Sequence, residues 1–100
     1  MQEQNDMSEL PFEQLFELGE EKYNQMDYEE AEFYYSLAYH KKPHEDMIVL
    51  CYSNILKHND KPEEALKILQ SSLKANPNGT YKRYFELAEI ESGEKSIITF

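Results

Sequence analysis

Three histidines (His40, His44, His58), one cysteine (Cys51) and twenty carboxylates are the side chains of this 100-residue chain whose types suggest chemistry. His40 and His44 stand four apart, the spacing that sets two imidazoles on one helix face for a zinc ion. Pro43 lies between them and ends the helix that would align them. Cys51 as a third ligand would have to reach across that break, so exposed histidines at helix ends are the simpler expectation. No H-E-x-x-H, G-x-S-x-G, paired-cysteine motif or glycine-rich phosphate loop occurs, and the chain has only three glycines. Nothing cationic lies close enough to Cys51 in sequence to favour its thiolate. Carboxylate pairs are too abundant to mark a general acid and base without a pocket around them. The expectation is a protein that is not an enzyme, with no metal and no cofactor.

The carboxylates are informative through their placement. Residues 1–45 hold twelve acids and three bases, a net charge of −9. Residues 46–79 hold four of each, and residues 80–100 hold four acids and three bases. A solubilising coat would be spread more evenly, so the acidic first third points to a purpose. The formal charge of −10 disfavours nucleic acid and anionic membrane as direct partners and favours a basic protein or peptide.

Length and composition bound the rest. One hundred residues make a single domain, and 40% apolar with 13% aromatic residues is enough to build one core. A lone cysteine forms no internal disulfide, which argues against a small secreted scaffold. The opening MQEQNDMSELP has neither a basic nor an apolar signal region, and no run approaches a membrane span. The reading is an intracellular protein, cytoplasmic or nuclear.

Helix signals recur along the chain, and no segment alternates with period two long enough for a strand. Pro11 suits the first turn of a helix, with Ser8 or Leu10 near its cap. Asp27-Tyr28-Glu29-Glu30 has the acid-x-x-Glu form of a helix start. Lys41-Lys42 complement the dipole at the far end, and Pro43 stops the helix. Asn59-Asp60-Lys61-Pro62-Glu63-Glu64 repeats that opening, and Lys74 precedes a stop at Asn76-Pro77. Asn78-Gly79-Thr80 then launches a last helix that Gly93 ends. The spacing predicts an all-α fold with helices near 11–24, 28–41, 45–58, 62–75 and 80–92, after a flexible stretch over 1–10.

These signals repeat at 34 residues. Glu30, Ala31 and Pro43 recur as Glu64, Ala65 and Pro77. In the same register Leu15 matches Val49, Leu18 matches Tyr52, Gly19 matches Ser53, Tyr28 matches Pro62 and Tyr35 matches Leu69. Small residues at Gly19, Ser53, Ala88, Ala31, Ala38, Ala65 and Ser72 would let helices approach closely. Leu18, Tyr35, Leu66 and Leu69 would fill the space beside them. The stripe Tyr28, Tyr34, Tyr35, Tyr39 reads as core and inter-repeat packing in preference to an aromatic ligand platform.

The pattern resembles the tetratricopeptide repeat: Leu15-x2-Leu18-Gly19-x2-Lys22, Ala31-x3-Tyr35 and Pro43, then Val49-x2-Tyr52-Ser53-x2-Leu56, Ala65-x3-Leu69 and Pro77. It departs from the family at Leu15 and Val49, where tryptophan is usual, and at Lys22, where an aromatic is usual. The resemblance covers residues 12 to about 92 and implies antiparallel hairpins stacked as a short right-handed solenoid of about two and a half repeats. The repeats would be 12–45, 46–79 and a shortened third over 80–100. In the third, Tyr84-x2-Leu87-Ala88 is followed by Ser96-x3-Phe100, with Leu87 and Ser96 nine apart where the earlier units have thirteen. The apolar ending Ile97, Ile98, Phe100 suggests a fragment of a longer chain, in preference to a partner that completes it or self-association through that edge.

The family's groove positions fall on Glu13, Phe16, Glu17, Glu20, Tyr23 and Asn24 in the first repeat, and on Met47, Leu50, Cys51, Asn54, Lys57 and His58 in the second. The third supplies Lys82, Phe85, Glu86 and Glu89. Glu13, Glu17 and Glu20 lie at i, i+4 and i+7, one acidic stripe on a helix face, with Phe16, Leu50 and Phe85 as an apolar floor. The carboxylate clamp of co-chaperone repeats needs Lys, Asn and Arg. Phe16, Glu20, Cys51 and Glu86 stand at those positions, so an acidic tail is not the expected ligand.

A second resemblance, over Tyr84 to Ser96, is to dedicated assembly chaperones of a large-subunit ribosomal protein, which hold an extended basic segment. Phe12 to Phe16 and Asp27 to Ala31 are also similar to bacterial secretion chaperones with these repeats. The favoured expectation is a binding module for a basic or amphipathic protein segment, working as a dedicated chaperone. The alternatives are a structural adaptor that assembles through its C-terminal edge, or a secretion-system chaperone.

Overall fold

The computed structural model of the chain describes residues 9–77 and 84–86. Four helices make up the described structure: α1 (Phe12–Asn24), α2 (Tyr28–Lys41), α3 (Asp46–His58) and α4 (Pro62–Ala75). Every boundary lies within one residue of the helix expected from capping and stop signals. Residues 84–86 are helical. The remainder of the expected last helix, the shortened hairpin and the apolar ending lie outside the described residues, as does the opening stretch 1–8. The described structure is all-helical, with no strand.

The helices pack in chain order, α1 on α2, α2 on α3 and α3 on α4. α1 and α2 are antiparallel, with charged pairs at both ends: Lys22 at the end of α1 meets Glu30 at the start of α2, 3.5 Å apart. Lys42, just past α2, reaches Glu13 at the start of α1 at 3.6 Å and sits 4.9 Å over the Phe12 ring. One core runs through all four helices, built on Leu15, Ala31, Tyr35, Ala38, Ile48, Val49, Ile55, Leu66 and Leu69, with Phe85 joining it. Leu18, expected to fill space beside the small residues, is only half-buried.

The 34-residue recurrence is written in the backbone as well as in the sequence. α1 and α3 start 34 residues apart, as do α2 and α4. The turn after α1 is closed by Met26 N–H to the Tyr23 carbonyl and Asp27 N–H to the Lys22 carbonyl, at 2.9 and 2.9 Å. The turn after α3 repeats both bonds 34 residues on, from Asp60 to Lys57 at 3.1 Å and from Lys61 to Leu56 at 2.8 Å. This is the Schellman geometry, which needs a left-handed residue, and Met26 and Asp60 supply it at φ 63° and 64°. The buried positions match likewise: Leu15 with Val49, Gly19 with Ser53, Ala31 with Ala65, Tyr35 with Leu69, Ala38 with Ser72.

The two hairpins differ in how their second helix begins. Asp27 caps α2 as expected, its carboxylate accepting from Glu30 N–H at 3.4 Å. α4 has no side-chain cap and begins with Pro62. The Asn59 that sequence assigned to this opening instead reaches back to α2. Its amide donates to the Tyr28 carbonyl at 2.9 Å and to Glu32 Oε1 at 2.8 Å. Lys61 Nζ donates to the other Glu32 oxygen at 2.7 Å. Glu32 thus ties the second hairpin's turn to the first hairpin, against the pairing of Tyr39 with Tyr52 along the same α2–α3 seam.

Candidate functional site

A cavity of ≈ 300 Å³ is lined jointly by residues of α1, α2 and α3. Its lining is Glu20, Tyr23 and Asn24 from α1, Cys51 and Asn54 from α3, and Tyr35 from α2. Glu20, Tyr23 and Asn24 converge because positions three and four apart share a helix face, and Cys51 and Asn54 obey the same rule on α3. Five of the residues expected to form a groove are therefore gathered in one place.

Tyr35 is the lining residue that sequence assigned to the core alone. It is buried, and its ring passes Gly19, where a Cβ would stand only 2.6 Å from the ring carbons. The missing side chain on α1 lets a phenol from the second helix reach the cavity floor. The signal was present in the pairing of the one glycine of α1 with the one buried tyrosine of α2.

The other expected groove residues divide by what they touch. His58 borders the cavity through its neighbours, with its ring 4.7 Å from Tyr28 and 5.7 Å from Tyr23. It is exposed, as expected, yet it stacks on aromatics and does not stand free. Phe16 is half-buried between Phe12 and Tyr35, at 6.1 and 6.0 Å. Leu50 is half-buried against the core, and its carbonyl accepts from Ser53 Oγ at 3.0 Å. Lys57 is half-buried, while Glu17, Met47 and Glu86 are exposed. Glu13 turns to Lys42 at the far end of α1, so of the acidic stripe only Glu20 lines the cavity. Phe85 is a correction: it is 2% exposed and belongs to the core, because an apolar ring gains more from burial than from forming an open floor. Lys82 and Glu89 lie outside the described residues.

The electrostatics of the cavity keep its thiol and its buried phenol neutral. Burial pushes the Cys51 thiol up, and the Glu20 charge pushes it further, against a hydrogen bond from Tyr35 that favours the thiolate. Burial likewise holds the Tyr35 hydroxyl well above the ordinary phenol range, reinforced by Cys51 and Glu20. Both groups therefore stay protonated at neutral pH, and the thiol is a weak nucleophile. Glu20 is the one charged side chain in the lining, flanked by two carboxamides and two phenols. Such a set can balance a cation and donate to and accept from a peptide backbone.

Among the described residues no group of three or more His, Cys, Asp or Glu is placed to hold a metal ion. His40 turns inward to its own helix, with Nδ1 2.8 Å from the Ser36 carbonyl. No described helix is long and apolar enough to cross a membrane. No family model, curated protein or solved structure matches the chain.

Proposed function

We propose that the chain is a tetratricopeptide-type interaction module that binds a basic or amphipathic segment of a partner protein between α1 and α3, without catalysing a reaction. The observation that carries this reading is the cavity in which Glu20, Tyr23, Asn24, Cys51 and Asn54 converge. The exact 34-residue recurrence of helices, turns and buried positions supports the repeat assignment. A long basic side chain enters beside Glu20 while Asn24 and Asn54 hold the neighbouring peptide groups. The surplus of carboxylates over residues 1–45 steers such a segment toward this end of the molecule. A dedicated chaperone for a basic protein, of the ribosomal kind, is the role that best fits an acidic groove with no reactive group ionised at neutral pH.

The test is titration of a fluorescent lysine-rich amphipathic peptide at low and high salt. Wild type is expected to bind with an affinity that falls as salt rises. Glu17→Lys with Glu20→Lys should abolish binding in the α1–α3 cavity, read from the amide shifts of its lining residues, with helicity unchanged. Those shifts persisting in the double variant would overturn the assignment.

A further inference from the structure

A second hollow, larger than the first at ≈ 480 Å³, lies between α2 and the turn after α3 and is lined by Glu29, Glu32, Phe33, Ser36, Asn59 and Lys61. From this hollow we infer a separate docking surface for an arginine side chain of a basic partner segment, distinct from the α1–α3 cavity. It goes beyond the groove reading and does not depend on it.

Phe33 is 50% exposed, an unusual state for phenylalanine in a helix whose other face supplies Ala31, Tyr35 and Ala38 to the core. Glu29 lies one turn before Phe33 on the same face, so a carboxylate and an open aromatic ring share the hollow's wall. The Glu32 oxygens are already engaged, one by Asn59 and the other by Lys61. Lys61 is therefore neutralised within the hollow, and Glu29 has no cation paired with it among the described residues. The net charge of the lining is negative, two carboxylates against one ammonium. α2 has no base before His40.

These features select arginine over other occupants. A guanidinium is planar and weakly hydrated, stacks on an aromatic face and presents a fork of donors to a carboxylate. An open ring with an uncommitted carboxylate four residues away meets both halves of that chemistry. An aliphatic segment would desolvate the Glu29 carboxylate without giving it a hydrogen bond, which opposes it. An acidic segment would meet like charge.

The experiment titrates the full chain with a short arginine-rich peptide and, separately, with its lysine counterpart, following backbone amide shifts and peptide anisotropy. The arginine peptide is expected to move the amides of Phe33, Ser36 and Asn59. Phe33→Ala and Glu29→Gln should each weaken that component about two- to fivefold, as for an exposed cation–ring or charged contact. Phe33→Tyr, which keeps the ring, should restore it. Glu17→Lys with Glu20→Lys should leave these shifts in place while removing those of the α1–α3 cavity, so the two sites fail or succeed separately. Shifts confined to the α1–α3 cavity, or equal affinity of wild type and Phe33→Ala, would overturn the proposal. A lysine peptide that binds the hollow as tightly as the arginine peptide would overturn the choice of arginine.

Discussion

The Tyr35 ring occupies the space in which any side chain at position 19 would have to lie: a Cβ on Gly19 would stand 2.6 Å from both Cδ1 and Cε1. Tyr35 is 3% exposed and packs against Phe16, so its ring withdraws from α1 only by disturbing its neighbours. Gly19→Ala gains helix propensity of about 1 kcal/mol but forces α1 away from α2, an overpacking cost of about 1–3 kcal/mol. We expect a net loss of up to about 2 kcal/mol in urea unfolding. The second hairpin solves the same contact with Ser53 and Leu69. Transplanting that pair as Gly19→Ser with Tyr35→Leu should therefore cost less than the sum of the two single changes. Additive losses would show that the two positions do not press on each other.

The turns after α1 and α3 place side-chain-bearing residues where glycine is the usual choice. Met26 and Asp60 hold φ at 63° and 64°, and Met26 is 76% exposed, so its side chain contributes little packing. A left-handed residue with a Cβ carries a local cost of about 1–2 kcal/mol, and Asp tolerates this region better than Met. Met26→Gly is expected to raise stability by about 0.5–1 kcal/mol, with Asp60→Gly giving the smaller gain. Thermal unfolding of the two variants measures it, and a lower midpoint for Met26→Gly would contradict the argument.

How much of this was legible beforehand follows from which signals are local. Helix ends were readable because Asp27, Pro43, Pro62 and Pro77 act on their own backbone within a turn. The recurrence was readable because Ala31 and Ala65 must be small for the same geometric reason. The role of Asn59 was not, since its sequence context is that of a helix cap while its amide is drawn 31 residues back to Tyr28. Only the packing of α2 on α3 creates that partner. The cavity was half legible: helical spacing placed Glu20, Tyr23 and Asn24 together, and Cys51 with Asn54. Tyr35 is core, as its place in the pattern implied, and the gap at Gly19 also lets it reach the cavity, whereas Phe85 is buried in the core and forms no open floor.

The groups that line the cavity also set how the fold responds to alkali. Burial raises the Cys51 thiol, the Tyr35 hydroxyl and the Tyr39 hydroxyl above their ordinary values. In each case the folded chain keeps a proton that the unfolded chain releases, so the folded state binds more protons over that interval. Stability must therefore fall as pH rises through it, by at most about 1.4 kcal/mol per pH unit for each group. The decline should begin where a free thiol ionises, at about pH 8.5, and steepen where free phenols do, at about pH 10. Cys51→Ala removes the first group without adding another, and its urea midpoint should stay level until the phenol range. Tyr35→Phe should instead keep the early onset and flatten the later fall. If Cys51→Ala declines from the same pH as wild type, the early loss belongs to another group. The thiol then sits in a wetter place than the wall between Glu20 and Tyr35.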